Sequence, residues 1–372
     1  MHILVIPSWY PSASSPLNGT FFAEQAEMLS RHGHRVSVFP VYSDGASACH
    51  VEIARKGDLT EYAIHVKPLP LHLTFFRVLA AMRSLLRKEL AGDRPDVIHV
   101  HSFNAIRYAR ALKALYGIPF VVTEHVTWFE RGLLSEKDLR SIAKDYAAAD
   151  ALVAVSPGLR GQIEPYCSGK EIRVIPNMVS ERFFENGLHA PPGESFGFIS
   201  VGMLDRKKGF DVLLRAFAEL IRSSPEARLT ICGDGAERAA LEKQRGELGL
   251  AERVTFTGGV SREEVARRLR ENQAFVLPSR TETFGVVYVE AMACGLPIVM
   301  TKTNAWQLLA LPETGLAVEI EDVPGLTAAM HQVVEHYGDY DPKTIAALCR
   351  ERFSEAAVAR ELTALYNEIL NR

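Results

Sequence analysis

Short, continuously apolar runs alternate with amphipathic helical stretches along the whole chain, and this most constrains the fold. HILVIP, RVSVFPV, DVIHV, PFVVT, ALVAVS and IRVIP recur in the first half. FGFISVG, RLTICG, RVTFTG, AFVLP and PIVMT follow in the second. Such runs suit strands buried on both faces, and helices between them imply parallel pairing in an α/β architecture. The clearest helical period is in KGFDVLLRAFAELI, where Phe210, Leu213, Leu214, Phe217 and Ile221 fall on one face. The pattern restarts near Ser195, after the Gly- and Pro-rich ENGLHAPPGES. With 372 residues, two Rossmann-like domains are expected. They would span 1–185 and 191–352, and a final helix over 353–372 would pack on either one.

Composition narrows the function. A net charge of −3 argues against a dedicated nucleic-acid binder. The five cysteines are dispersed, with no paired spacing for zinc, which fits a reducing compartment better than a disulfide framework. MHILVIPSWYP has no basic region, its apolar run is short for a signal peptide, and no run reaches membrane-spanning length. A cytoplasmic protein is expected, with at most peripheral contact with a membrane. The basic, amphipathic segment Leu71 to Leu90 would supply that contact, or else pack on the first sheet.

Polar residues with chemical potential follow the strands. His101, Glu124, His125 and Ser156 do so in the first half, and Lys208, Asp234 and Glu282 in the second. Ligands of open parallel sheets bind beyond the carboxyl ends of the strands, so two domains facing each other would gather these groups in one cleft. Loops are polar in any case, so the placement alone does not decide.

The most informative motif is SRTETFGVVYVEAMACGLPIV, Ser279 to Val299. Glu282 and Glu290 flank a helix start at Phe284-Gly285, where backbone N–H groups can face an anion and the carboxylates can hold sugar hydroxyls. Two glutamates on a surface helix would look alike, but Val286, Val287, Val289, Ala291 and Met292 surround them with apolar side chains. A buried carboxylate must be paired or hydrogen-bonded. Arg206, Lys207, Lys208 and Gly209 lie between a strand and a helix, as a diphosphate site requires; an ordinary solvated basic loop has the same composition. Asn18, Gly19 and Thr20 open the first helix. GDGAER lacks the third glycine of a dinucleotide fingerprint, and SGKEI lacks the upstream glycine of a P-loop. His99 and His101 share a strand face without a third ligand at suitable spacing, so no metal site is expected. His125 reads equally as a functional or a core histidine.

Together these segments resemble the retaining glycosyltransferases of family 4. The motifs are NGTFFAEQA, DVIHVH, VVTEH, ADALVAVSPGLR, VIPNMVSERFF, SVGMLDRKKGFDVLLRAF, ICGDGAERAAL, VTFTGGVSREEV and PSRTETFGVVYVEAMACGLPIV. The resemblance implies the GT-B fold and a nucleotide-diphosphate sugar donor, UDP- or GDP-linked, with no further cofactor. It implies a saccharide or lipid-linked acceptor in surface polysaccharide or glycolipid synthesis. It assigns Glu290 to the ribose hydroxyls, Glu282 to the transferred sugar and Lys208 to the leaving diphosphate. Thr283, Phe284 and Gly285 would contact phosphate or sugar through the backbone. Gly19 would lie near the phosphates, His125 near the donor sugar and Val260 at the base.

Two departures stand out. Met203 occupies a position where the family often has a second diphosphate arginine, which Arg206 would replace. The loop Lys302 to Gln307 lacks the usual glycine pair, leaving Asn304 and Trp306 to shape sugar or acceptor choice. A sugar-nucleotide epimerase of similar form and a two-lobed sugar-binding protein are the competing readings.

Overall fold

The computed structural model describes residues 1–15, 18–44, 49–70, 73–185 and 187–372. Pro16 and Leu17 of the first strand-to-helix turn, Leu71 and His72 of the basic segment, and Asn186 lie outside the described residues. The chain forms two compact units. One comprises Met1–Val155, Leu159–Pro176 and Val358–Arg372, the other Ser156–Gly158 and Asn177–Ala357. The stretch after Asn186 is anchored in the second unit, where the His189 amide donates to the Cys294 carbonyl and the His189 ring meets the Tyr337 hydroxyl at 2.5 Å.

The first unit is built on a sheet of β1 (His2–Pro7), β2 (Arg35–Val38), β3 (Val41–Tyr42), β4 (Cys49–Lys56), β5 (Leu59–Val66), β6 (Val97–His101), β7 (Phe120–Glu124), β8 (Ala151–Ala154) and β9 (Ile172–Val174). Their order is β3-β5-β2-β1-β6-β7-β8-β9, with β4 added antiparallel to β5 and every other pairing parallel. The apolar runs of β1, β6 and β7 are buried throughout, as helices on both faces require. The β4–β5 hairpin is absent from the apolar runs because β4 is largely exposed and β5 interrupts its buried Leu59, Tyr62, Ile64 and Val66 with polar residues, leaving no continuous run to read.

Helix Leu73–Lys88 buries Val78, Met82, Leu85 and Leu86, so much of its apolar face is used within the fold. Leu73 and Phe76 remain exposed. Among the described residues no helix is long and apolar enough to cross a membrane.

The second unit contains β10 (Gly197–Val201), β11 (Arg228–Cys232), β12 (Val254–Gly258), β13 (Ala274–Leu277), β14 (Ile298–Thr301) and β15 (Gly315–Val318), ordered β12-β11-β10-β13-β14-β15 and parallel throughout. Helix Phe210–Leu220 buries Phe210, Leu213, Leu214 and Phe217 as its period predicts. Ile221 is its half-exposed C-cap instead, because the helix ends one residue before it.

In each sheet the strand order reverses once, between β1 and β6 and between β10 and β13. Neighbouring crossovers leave in opposite directions there, which opens a crevice beyond the strand ends. Lys208 and Glu282 follow β10 and β13. Gly19 follows β1, and His101 ends β6.

Candidate active site

Three helices among the described residues begin at a glycine in the left-handed conformation with no side-chain cap. These glycines are Gly19 (φ 75°), Gly209 (φ 70°) and Gly285 (φ 81°). Elsewhere Ser135, Ser261, Asp322 and Asp341 cap helix starts with their side chains. An uncapped start leaves its first N–H groups available to an anion, and the helix dipole favours negative charge there.

Tight packing accompanies the glycines. A Cβ at Gly19 would come within 2.8 Å of the Trp9 carbonyl oxygen, and one at Gly285 within 2.5 Å of the Tyr288 ring. The Tyr288 hydroxyl donates to the Leu277 carbonyl at 2.7 Å, fixing this helix against the end of β13.

Beside the Gly285 helix start, Lys208 Nζ donates to Glu282 Oε2 at 2.5 Å, with side chains 22% and 14% exposed. The sequence separates these residues widely; the β10–β13 switch point joins them. Arg280 holds the two loops in register. Its backbone amide donates to the Lys207 carbonyl at 2.6 Å, and its guanidinium to the Arg206 carbonyl at 2.6 Å and to both Asp211 oxygens at 2.8 Å. Glu321 completes its partners. Burial alone would raise the Asp211 carboxyl, but Arg280 holds it below its ordinary range. This fork suits arginine and not lysine. Arg280 stands inside the most informative motif, yet nothing in its local sequence announces partners on the Lys208 loop.

Glu290 is 1% exposed and pairs with Arg262 at 2.6 Å, meeting the need of a buried carboxylate for a partner. Arg262 also lies over the Phe183 ring, 5.1 Å from its centroid. Val260 is half-exposed in the loop between β12 and helix Arg262–Arg270. The Thr283 carbonyl accepts from Ser156 Oγ at 2.6 Å, and the Phe284 ring is buried against Phe353. Thr283 and Phe284 therefore have backbone or side-chain groups committed to the fold. Arg206 and Met203 are exposed. Asn304 is buried, and its carbonyl accepts from the Gly158 amide at 3.0 Å, while Trp306 carries Lys302 over its ring.

In the first unit, Glu124 is fully buried and accepts from the amides of Phe103, His125 and Val126 and from the Tyr146 hydroxyl. Burial raises its carboxyl against those bonds. It organises the loops after β6 and β7. His99 uses both ring nitrogens, one with Thr123 at 2.7 Å and one with Tyr366 at 2.6 Å, so it is a hydrogen-bonded core residue. His101 Nδ1 lies 3.1 Å from His125 Nε2. Phe21 and Phe22 pack on the His125 ring, whose Nδ1 has no hydrogen-bond partner among the described residues. Ser102, directly after His101, adopts φ 67° and ψ 152°, a region nearly reserved for glycine and found where surroundings enforce strain.

Burial lowers His99 and His125 to about 3. His125 is thus a neutral imidazole near pH 7, able to bond a hydroxyl but not to neutralise a phosphate. Below the ordinary value of 6.5 the unfolded chain takes up protons that these rings refuse. Their contribution is therefore full above that pH and lost as pH falls toward 3. Between pH 7.5 and 5 each costs about 2 kcal/mol. Urea denaturation at the two pH values should give a lower midpoint at the acidic one; equal midpoints would mean that the rings are solvated.

The two units, each with a mainly or wholly parallel sheet and an uncapped helix start at its switch point, define an α/β protein with helix N-termini beyond the carboxyl ends of its strands. Residues 19–183 match the family described as Glycosyltransferase Family 4, and residues 183–347 that described as Glycosyl transferases group 1. The chain belongs to these glycosyltransferases. It is 30% identical over 269 residues to glycogen synthase of Mycobacterium tuberculosis, covering 69% of this chain and 65% of that protein, just under two thirds of its length. It is 29% identical over 378 residues to D-inositol 3-phosphate glycosyltransferase of Frankia alni, covering 91% of this chain and 88% of that protein. Sucrose-phosphate synthase from Thermosynechococcus elongatus shares the fold, with a TM-score of 0.79 at 20% identity over 100% of both chains.

Proposed function

We propose that the protein transfers a glycosyl group from a nucleoside-diphosphate sugar to a hydroxyl of a saccharide or lipid-linked saccharide, with retention of anomeric configuration. The observation that carries this reading is the Lys208–Glu282 pair at 2.5 Å beside the uncapped helix start at Gly285. The diphosphate lies against that helix start, with Lys208 as its cation and Arg206 in reserve at the exposed edge. Glu290, held by Arg262, accepts from the ribose hydroxyls, and Val260 borders the base. Glu282 accepts from hydroxyls of the transferred sugar. Within the first unit, the uncapped helix start at Gly19 suits a phosphate and the neutral His125 ring suits a sugar hydroxyl.

When the bond between the anomeric carbon and the diphosphate breaks, negative charge grows on the leaving oxygen. Lys208 and the helix N–H groups stabilise it without rearranging. The acceptor hydroxyl attacks from the same face and passes its proton to the departing phosphate. We place the reaction in the cytoplasm, in surface polysaccharide or glycolipid synthesis.

A thermal-shift panel of UDP, GDP, ADP and their sugars tests the donor assignment. One nucleotide series should stabilise the protein by about 2.7 kcal/mol at a concentration a hundredfold above its Kd. Silence from every nucleotide would overturn it. Product analysis with and without acceptor separates transfer from epimerisation, since an epimerase releases its product with no acceptor present.

A further inference from the structure

We propose that the β4–β5 hairpin carries a binding site for a divalent transition-metal ion, made by His50, Glu52 and His65. The site is independent of the transfer chemistry. His50 and His65 sit directly opposite each other on the antiparallel pair, and Glu52 is two residues along β4 on the same face. The three side chains can bring one ligand atom each within 4.8 Å of one another. His50 Nε2 lies 3.4 Å from Glu52 Oε1, and His65 Nε2 lies 3.9 Å from Glu52 Oε2. A tetrahedral ion with bonds of about 2.0–2.1 Å separates its ligands by about 3.3 Å. The cluster is therefore close to ligand spacing already.

The orientation of His65 suits a metal ligand. Its Nδ1 meets Asp44 Oδ2 at 2.5 Å. A carboxylate on Nδ1 holds that proton there and leaves the Nε2 lone pair for a metal, the arrangement that fixes ligand histidines in metal sites. Tyr42 stacks on the same ring, 5.0 Å between centroids. His50 and His65 are themselves stacked at 4.6 Å and 11°, so binding requires the rings to tilt. Rotation about the broad Cβ–Cγ torsion supplies that tilt, and His50 at 42% exposure has room for it. Two imidazoles and one carboxylate favour zinc, nickel or copper over magnesium or calcium. Three protein ligands leave a position for water or an outside donor, and the bound ion would staple β4 to β5.

The test uses the full chain without a polyhistidine tag, stripped by chelator and titrated calorimetrically with Zn²⁺ and, separately, Ni²⁺. One equivalent should bind. His50→Ala and His65→Ala should each abolish binding or weaken it at least tenfold, and Asp44→Asn should weaken it about 10- to 100-fold. Cys49→Ser controls for thiol capture and should leave it unchanged. Metal-free melting of each variant should match the parent, since these side chains lie on a hairpin face. No binding, or binding unaltered in both histidine variants, would overturn the proposal. Loss of binding confined to Cys49→Ser would do the same.

Discussion

Lys208→Ala should lower glycosyl transfer about 10²- to 10³-fold in kcat, the loss expected when one preorganised group facing developing negative charge is removed. Lys208 follows β10 at the switch point and touches Glu282, next to a helix start that no side chain caps. An ammonium there meets charge that grows only as the sugar–phosphate bond breaks, so its loss acts on kcat more than on KM. The fold should survive, because the pair is only partly buried. Glu282→Gln should reduce transfer too, because it removes the carboxylate assigned to the transferred sugar, while stabilisation by the bare nucleotide, which lacks that sugar, stays largely intact. Steady-state kinetics with the donor from the thermal-shift panel provide the check. A Lys208→Ala enzyme with parental kcat would remove the electrostatic role assigned to this residue.

Gly209→Ala should cost about 3 kcal/mol or more and lower the melting temperature of the second unit by roughly 6–12 °C. Two effects combine. At φ 70° a residue with a Cβ loses about 1–2 kcal/mol. The added carbon would also stand 2.1 Å from the Pro278 carbonyl oxygen, a backbone atom at the end of β13 that no rotamer change can move. Any relief must push the Lys208 turn away from Glu282, so residual folded protein should also be slow. Gly246→Ala is the matching control. It lies within helix Arg238–Glu247 with nothing within 4 Å of an added methyl group, and should stabilise by about 0.5–1 kcal/mol. Calorimetric melting distinguishes the two. Equal melting temperatures for Gly209→Ala and the parent would show that the close approach to Pro278 is not rigid.

The amino-acid sequence determined the alternation of buried strands with helices, because strands covered on both faces leave continuous apolar runs. It also marked Gly285, Glu282, Glu290 and Lys208, since their types and spacing form a recognisable local pattern. It did not reveal the β4–β5 hairpin, whose apolar residues are interrupted by polar ones and form no continuous run. Nor did it give the histidine and glutamate cluster there, because His50 and His65 meet only through the antiparallel register. The partnerships were decided by tertiary structure alone. Lys208 reaches Glu282 because β10 and β13 are neighbours, Arg262 reaches Glu290, and Arg280 reaches Asp211. Hydrogen bonds and ion pairs act over a few ångströms in space, so separation along the chain leaves no local trace of them. The sequence named the charged groups, and the folded sheet determined which opposite charge each one meets.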